Sequence, residues 1–529
     1  MPKGYEIHVI SNTHWDREWL YDFQETRMML VEFFDRLLDI LDHEPRYRAF
    51  LLDSQTVPIE DYLEVRPEAR DRIRKQVSSG RLCVGPWYTC PEGFIVGGES
   101  LVRNLTYGHK VAGEYGKVMK VGHTPFSYGQ NSQMPQIYAG FGIDSILFYH
   151  GVSHDEVANE FIFEGADGTR LFASQMSSFA RYNYYFAVFR PVLYGTSIDE
   201  RVHEWRKGGL PFHLCGENSC MGHHYLLDAG RGLDTSHLKG LLETLRDKET
   251  RTETTRYLAF MMGHDSSLPD QAEMHIIAEG QKHLPNDRLI HSSLPDLVSK
   301  VKKAARNLTV LKGERRVPKM MSGRLHLYSD VLSSRTRVKQ LNTLTELALQ
   351  RRAEPMAAIA WLMGAEYPNQ LLDIAWKNLL QSHAHDSIAG SGVDDIERDV
   401  THRLRQAMNI SKGIARRGME AIQVHIDNSG AGLDDVLLTV FNPSPFPRTE
   451  VLTAVVDLPR ASGLAKFHLK RASTGEEQAV QLSIRKPHHS VVNHADDAPC
   501  MMATERVRIH LEAKSVPALG YTTYAFEQG

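Results

Sequence analysis

The chain has 529 residues, 42% of them hydrophobic and 24% charged, which is enough apolar material for several buried cores and excludes an intrinsically disordered protein. At roughly 150 residues per domain, the length points to about three domains. A net charge of −4 and a pI near 6.7 argue against nucleic acid or an anionic membrane surface as the principal partner.

Cys83, Cys90, Cys215, Cys220 and Cys500 form no CxxC pair, and their odd number favours neither a disulfide framework nor a cysteine zinc site. The amino terminus, MPKGYEIHVISNTHWDREW, lacks the apolar run of a secretory signal, so a reducing, cytoplasmic setting is expected. No stretch of about 18 apolar residues predicts a membrane span.

In chain order, Tyr5 to Ser11 reads as a short buried strand that ends in the polar cluster Asn12-Thr13-His14. A helix is predicted from about Glu25 to His43, with Met28, Met29, Val31, Leu37, Leu38 and Leu41 as its apolar stripe. Arg48 to Leu52, Leu82 to Val84 and Ser145 to Tyr149 look like further strands with helices between them. Such alternation predicts a parallel sheet or a barrel-like α/β domain. Sites in these sheets gather beyond the carboxyl ends of the strands, where His14, Asp53 and Trp87 would lie. From about Arg324 to Arg417 long helices take over, with Leu371, Leu372, Ala375, Leu379 and Leu380 at helical spacing, until glycines at 390 and 392 break the pattern. From about Val436 the chain becomes β-like, with two short runs around the proline-rich turn FNPSPFPR. The predicted domains are therefore 1–317 (α/β), 318–430 (helical) and 431–529 (β).

Three clusters could carry chemistry. His14 and Asp16 sit two apart; on an extended chain they face the same way and offer an imidazole and a carboxylate to a divalent ion. In QSHAHDS, His383 and His385 fall where a helix breaks, and on a continuous helix at most one could join that ion. Asp265 follows the apolar run Tyr257 to Met262 and is a candidate general acid, with a plain turn aspartate as the competing reading. Aromatic residues, including Trp15, Trp19, Trp87, Tyr128 and Tyr182, crowd these regions and can stack on sugar rings, although most aromatics simply fill cores.

Several separated motifs then fall in one order. SNTHWDREW, GRLCVGPWYTCPEGFIVGGESLVRNL, GQNSQMPQIYAGFGID, SGRLHLYSDVLSSRTRVKQLN and QSHAHDSIAGSGVDD together resemble the α-mannosidases of glycoside hydrolase family 38, from about residue 5 to the early β domain. The resemblance implies a seven-stranded β/α barrel over 1–317, a three-helix bundle over 318–430 and a β-sandwich-like domain over 431–529. It implies metal ligation by His14, Asp16 and His385, usually to zinc, and a carbohydrate substrate, a mannoside or mannose-containing glycan. Asp386 would touch a sugar hydroxyl, Trp19 and Tyr128 would line the pocket with Trp87 as a further sugar contact, and Asp265 would be the general acid/base.

The chain departs from this pattern where the family places an aspartate nucleophile in a motif like Asp-x-Phe-Gly. Here GHTPFSYGQ puts Phe126 at that position, and phenylalanine can neither attack an anomeric carbon nor bind a cation. Glu92, Asp144 and Asp53 are the carboxylates considered as replacements. His150 stands where many members carry arginine, and His223 and His224 lie in a stretch without a counterpart. The reading is a metal-dependent α-glycosidase, with a carbohydrate deacetylase-like hydrolase and a catalytically silent glycan-binding protein as alternatives. The oligomeric state stays open, symmetric homo-oligomers being common among soluble enzymes.

Overall fold

The computed structural model describes residues 4–124, 129–177, 182–196, 202–213, 224–227, 232–316, 319–321, 324–326, 329–432 and 434–529. Phe126, Tyr128 and His223 lie outside them. Two compact units emerge: Met1–Leu344 with Trp376–Gln406, and Thr345–Ala375 with Ala407–Gly529.

The strands of the first unit are, in chain order, β1 (Glu6–Thr13), β2 (Phe50–Leu52), β3 (Leu82–Cys83), β4 (Gly122–His123), β5 (Ser145–Leu147), β6 (Glu160–Glu164), β7 (Arg170–Ser174), the short pair β8 (Pro211–Phe212) and β9 (Tyr225–Leu226), β10 (Tyr257–Met262), β11 (Arg288–His291) and β12 (Val310–Lys312). In one sheet, β1 pairs in parallel with β10 along one edge, from Glu6↔Tyr257 to Ser11↔Met262. Along its other edge β11 meets the first half of β1 and β2 the last, and β3 extends the sheet beyond β2. A second sheet runs β12-β6-β7-β5-β4 and is parallel except for the pair β6–β7. One apolar core takes Ile10, Leu51, Ala259 and Met261 from the first sheet and Leu147 and Phe172 from the second. Mostly parallel strands sharing a core, with helices between them, form the mixed α/β unit that the alternation predicts. Among the described residues no ladder joins the two sheets into one closed barrel.

Helix Phe23–His43 begins at Asp22, whose carboxylate accepts from the backbone N–H groups of Gln24 and Glu25. Its buried stripe is Leu30, Phe33, Phe34, Leu37, Leu38 and Leu41, whereas Met28 is 57% exposed. The aromatic rings at 33 and 34 join the expected Leu37, Leu38 and Leu41 on the buried face, while Met29 and Val31 are half-buried.

All eight residues of β1 are buried, and the polar ones are bonded in place. His8 meets Ser292 Oγ at 2.8 Å and Glu6 Oε1 at 3.0 Å. Ser11 Oγ donates to Glu273 (2.8 and 2.9 Å to its two oxygens) and lies 2.7 Å from His291 Nε2. Because the backbone N–H of Arg48 donates to His291 Nδ1 (2.8 Å), the imidazole proton sits on Nε2 and points at Ser11. This trio is a tautomer-locked structural network, since His291 offers Ser11 no basic nitrogen. Burial pushes Glu273 up to about 8 and His291 down to about 3.

In the second unit, helix Glu354–Leu362 packs through Met356 and Ala360 against Ile422 near the end of helix Asp394–Gln423. Gly418 permits the approach, since a Cβ there would lie 2.9 Å from the Met356 backbone. Two antiparallel sheets follow. One orders Val436–Asn442, Gly520–Gln528, Phe467–Arg471 and Glu477–Gln478; the other orders Arg448–Pro459, Cys500–Val516 and Val480–Val492. Leu458, Leu469, Val507, Ile509, Leu511, Tyr524 and Phe526 form their common core. The Asn442 amide staples the FNPSPFPR turn by donating to the carbonyls of Phe446, Val516 and Pro517 at 2.8 to 3.2 Å. No helix among the described residues is long and apolar enough to cross a membrane.

The Glu273 network predicts a pH dependence. The folded chain keeps a proton on Glu273 up to about pH 8, whereas an ordinary glutamate loses it near 4.5, so stability falls as pH rises through that window. Glu273→Gln should therefore flatten the decline, by an amount of order a few kcal/mol. Melting temperatures of both proteins, taken from about pH 5 to about pH 9, check this; parallel curves would count against a buried proton.

Candidate metal centre

The site begins where β1 ends. His14 continues the strand by one parallel bridge to Asp265, beyond the end of β10. The bridge needs Gly263: its φ is 153°, and a Cβ there would lie 2.0 Å from the Asn12 carbonyl oxygen. The close approach lets His14 N donate to His264 O (3.3 Å) and Ser266 N donate to His14 O (2.7 Å). Asp265 is half-buried, and the Tyr182 hydroxyl donates to its Oδ1.

His14 Nε2, Asp16 Oδ1 and His385 Nε2 converge. Their separations are 2.6 Å (His14–Asp16), 3.2 Å (His385–Asp16) and 3.3 Å (His14–His385), and all three residues are buried. A divalent ion about 2.0–2.2 Å from each donor would need donor–donor edges of roughly 3.0–3.5 Å, which two of the three already match. Asp16 Oδ1 is buried and accepts no well-formed hydrogen bond among the described residues, although two imidazole nitrogens crowd it. Two imidazoles and one carboxylate suit zinc or a similar borderline ion, so the residues present fit such a group.

Burial raises the Asp16 pKa, but the charges and contacts of His14 and His385 outweigh it and hold the carboxylate well below its usual range. Burial likewise disfavours charge on His385, yet Asp386 and Asp16 raise its pKa well above the ordinary value. Asp386 lies 3.3 Å from His385 Nε2 and accepts from Ser391 Oγ (2.6 Å); burial, the largest influence on it, raises its pKa.

Asp53 follows β2, with φ of 41° at Asp53 and 60° at Ser54. Its Oδ2 meets His14 Nδ1 (2.7 Å) and accepts from Trp15 N (2.8 Å) and Gln55 Nε2 (2.8 Å). These bonds make Asp53 a support for His14 rather than a replacement nucleophile. Asp144 is exposed, pairs with Lys302 and stands at the amino end of β5, away from a strand's carboxyl end. Glu92 is buried and follows Pro91, which bridges Ala384 next to His385.

Of the expected sugar contacts, Trp19 is half-buried, and its carbonyl accepts from Val393 N (3.1 Å), close to the Ser391 that bonds Asp386. Trp87 is interior: none of it is exposed, and its indole N–H donates to the Tyr138 hydroxyl (3.1 Å). A buried indole needs such a partner, and Tyr138 supplies it. His383 turns to Asn342 Oδ1 (2.7 Å), and burial lowers its pKa to about 3. His150 is buried against Tyr149, and His224 stacks on His213 at 4.5 Å between ring centroids.

Motif reading did not assign Arg17 and Glu18. Arg17 forms a two-bond pair with Asp61 (2.8 and 3.0 Å) and lies over the Phe23 ring. Glu18 accepts from Ser387 Oγ (2.6 Å) and from both terminal nitrogens of Arg403. Charged residues beside an apolar strand end were the available signal, because such charges must find partners when buried. Arg403→Ala should therefore destabilise by roughly 3–5 kcal/mol, since Glu18 would stay buried and unpaired. Thermal melting checks this, and the double replacement Glu18→Gln with Arg403→Met should recover part of the loss.

The comparisons with known proteins identify the family. The model of the glycosyl hydrolases family 38 N-terminal domain matches residues 4–314, and that of the alpha mannosidase middle domain matches residues 326–422. A "Putative mannosylglycerate hydrolase" of Halalkalibacterium halodurans is 28% identical over 428 residues, covering 78% of this chain and 42% of the relative. An alpha-mannosidase of Saccharomyces cerevisiae is 31% identical over 144 residues, 27% of this chain and 13% of the relative. The crystal structure of an alpha-mannosidase from Enterococcus faecalis superposes with a TM-score of 0.82 at 24% identity, covering 99% of this chain and 56% of that one. The chain thus spans less than half the length of these two curated relatives. With a family model over more than half its length, the chain belongs to glycosyl hydrolases family 38.

Proposed function

We propose that this chain is a metal-dependent glycosidase that hydrolyses terminal α-mannosides, with zinc as its ion. The observation that carries the reading is the meeting of His14, Asp16 and His385 at the end of β1, with Asp265 bridged to His14. These three residues would hold the cation, which when bound supplies Lewis-acid stabilisation and a grip on neighbouring sugar hydroxyls.

Asp265 acts as general acid and base. It protonates the leaving oxygen and later takes a proton from the incoming water, while the Tyr182 hydroxyl orients its carboxyl group. Asp386 accepts a hydrogen bond from a sugar hydroxyl, and Trp19 and Tyr128 line the sugar pocket. The finer architecture in this reading is a seven-stranded barrel over 1–317, a three-helix bundle over 318–430 and a β-sandwich-like domain over 431–529. The name of the Halalkalibacterium relative suggests a small mannoside with an acidic aglycone, such as mannosylglycerate. Free thiols at Cys83, Cys90 and Cys500 suit a reducing, cytoplasmic compartment.

Phe126 favours a second reading, a protein that binds mannosides without cleaving them, because its position is the one the family gives to a nucleophilic aspartate. Metal analysis paired with hydrolysis of an aryl α-mannoside separates the two. The first reading expects about one divalent ion per chain and cleavage that a chelator stops. It also expects Asp265→Asn to lower turnover by roughly 10²–10⁴-fold with metal content unchanged. Bound metal and saturable mannoside binding without product would establish the second reading. A chain that takes up no metal would overturn the first.

A further inference from the structure

The two imidazoles of the candidate centre lie 371 residues apart in the chain, and one side chain sits between their supports. Gln55, buried to all but 2%, donates from Nε2 to Asp53 Oδ2 (2.8 Å) and to the Trp15 carbonyl (2.9 Å). Its Oε1 accepts from Cys90 N (3.0 Å). Two acceptors face one end of the amide and a donor faces the other, so the orientation of the carboxamide is determined by its surroundings.

Both contacts lead to a metal-binding candidate in one further step. On one side, the carboxylate that receives Gln55 also meets His14 Nδ1 (2.7 Å). The same Asp53 oxygen also accepts from Trp15 N (2.8 Å), so the His14 ring is held at its Nδ1 edge with Nε2 facing Asp16 and His385. On the other side, the Cys90 carbonyl receives His385 N (2.9 Å), and Pro91 bridges Ala384. The left-handed backbone at Asp53 and Ser54 brings these groups to one place at the end of β2. Strain of that kind persists where surrounding bonds over-determine the conformation, as they do here.

We propose that Gln55 is a positioning residue whose carboxamide couples the Asp53–His14 pair to the Cys90–His385 segment, so that one side chain sets the spacing of the two imidazoles for a divalent cation. The proposal rests on the metal-binding reading above. Loss of the amide would let the two halves move independently and weaken binding of the cation without altering any ligand.

The test is a competition titration of chelator-stripped full-length protein with Zn²⁺ and a chromophoric chelator, for wild type, Gln55→Met, Asp53→Asn and the double variant. Melting temperatures of each stripped protein are measured alongside. Gln55→Met should weaken Zn²⁺ binding by roughly 10–100-fold. The double variant should lose no more than the worse single one, since both act through the same bonded path. Wild-type binding with an unchanged affinity in Gln55→Met, or strictly additive losses, would overturn the proposal and leave the metal reading intact. A wild type that binds no Zn²⁺ would overturn the metal reading itself. If Gln55→Met does not fold, Gln55→Glu replaces it; this nearly isosteric change removes the two amide donors and should weaken Zn²⁺ binding at least as much.

Discussion

Moving a carboxylate or a guanidinium out of water carries a penalty of several kcal/mol unless a counter-charge and hydrogen bonds replace the lost solvent. Between His14 and Glu18 the chain buries two carboxylates, one guanidinium and one imidazole within five residues. Each is answered from a different part of the first unit. Asp53 supports His14, the two imidazoles face Asp16, Asp61 pairs with Arg17, and Arg403 with Ser387 satisfies Glu18. Trp15, in the middle, is 2% exposed and packs at 5.2 Å from the Phe33 ring. Balancing these charges draws helix Val57–Leu63, helix His385–Ala389 and the start of helix Asp394–Gln423 to the end of one strand.

The same constraint explains why the candidate chemistry sits where it does. The unit has an apolar core shared by two sheets, and the candidate site lies beyond it, where β1 and β2 stop. At β1 the stop is gradual, since His14 still pairs with Asp265, and this brings a candidate acid beside a candidate ligand. At β2 the stop is abrupt, with two successive left-handed residues, and this turns Asp53 and Gln55 towards β1. Buried polar groups of this density are stable only when nearly every donor and acceptor is matched. Asp16 Oδ1 stands out for that reason, as a buried acceptor pressed by two imidazoles without a proper bond among the described residues.

Membership of glycosyl hydrolases family 38 does not by itself decide what the chain catalyses, because function belongs to the site rather than to the fold. His14, Asp16 and His385 converge at the end of β1, Asp265 bridges to His14, and Asp386 lies 3.3 Å from His385 Nε2. The sequence carries phenylalanine at 126, a side chain that cannot act as a nucleophile. Of the three carboxylates weighed as replacements, Asp53 is committed to His14 and Asp144 to the surface, which leaves Glu92 as the one buried beside the His385 segment.

Local sequence determined a good deal. The strands at Glu6, Phe50, Leu82 and Ser145 were legible from short apolar runs ending in polar residues, and the apolar run Tyr257 to Met262 coincides with β10. The HxD pair could be read as candidate ligands because side-chain alternation along an extended chain is a local property. The choice between His383 and His385 was not local: it turns on Asn342 capturing one ring and Cys90 anchoring the backbone of the other. Trp87 is likewise placed by a distant partner, Tyr138, 51 residues away, whose hydroxyl accepts from its buried indole N–H. The roles of Asp53, Gln55, Arg17 and Glu18 were likewise decided only by tertiary structure. Each depends on a hydrogen bond between segments distant in the chain, and neither periodicity nor spacing carries information about which distant donor will meet which acceptor.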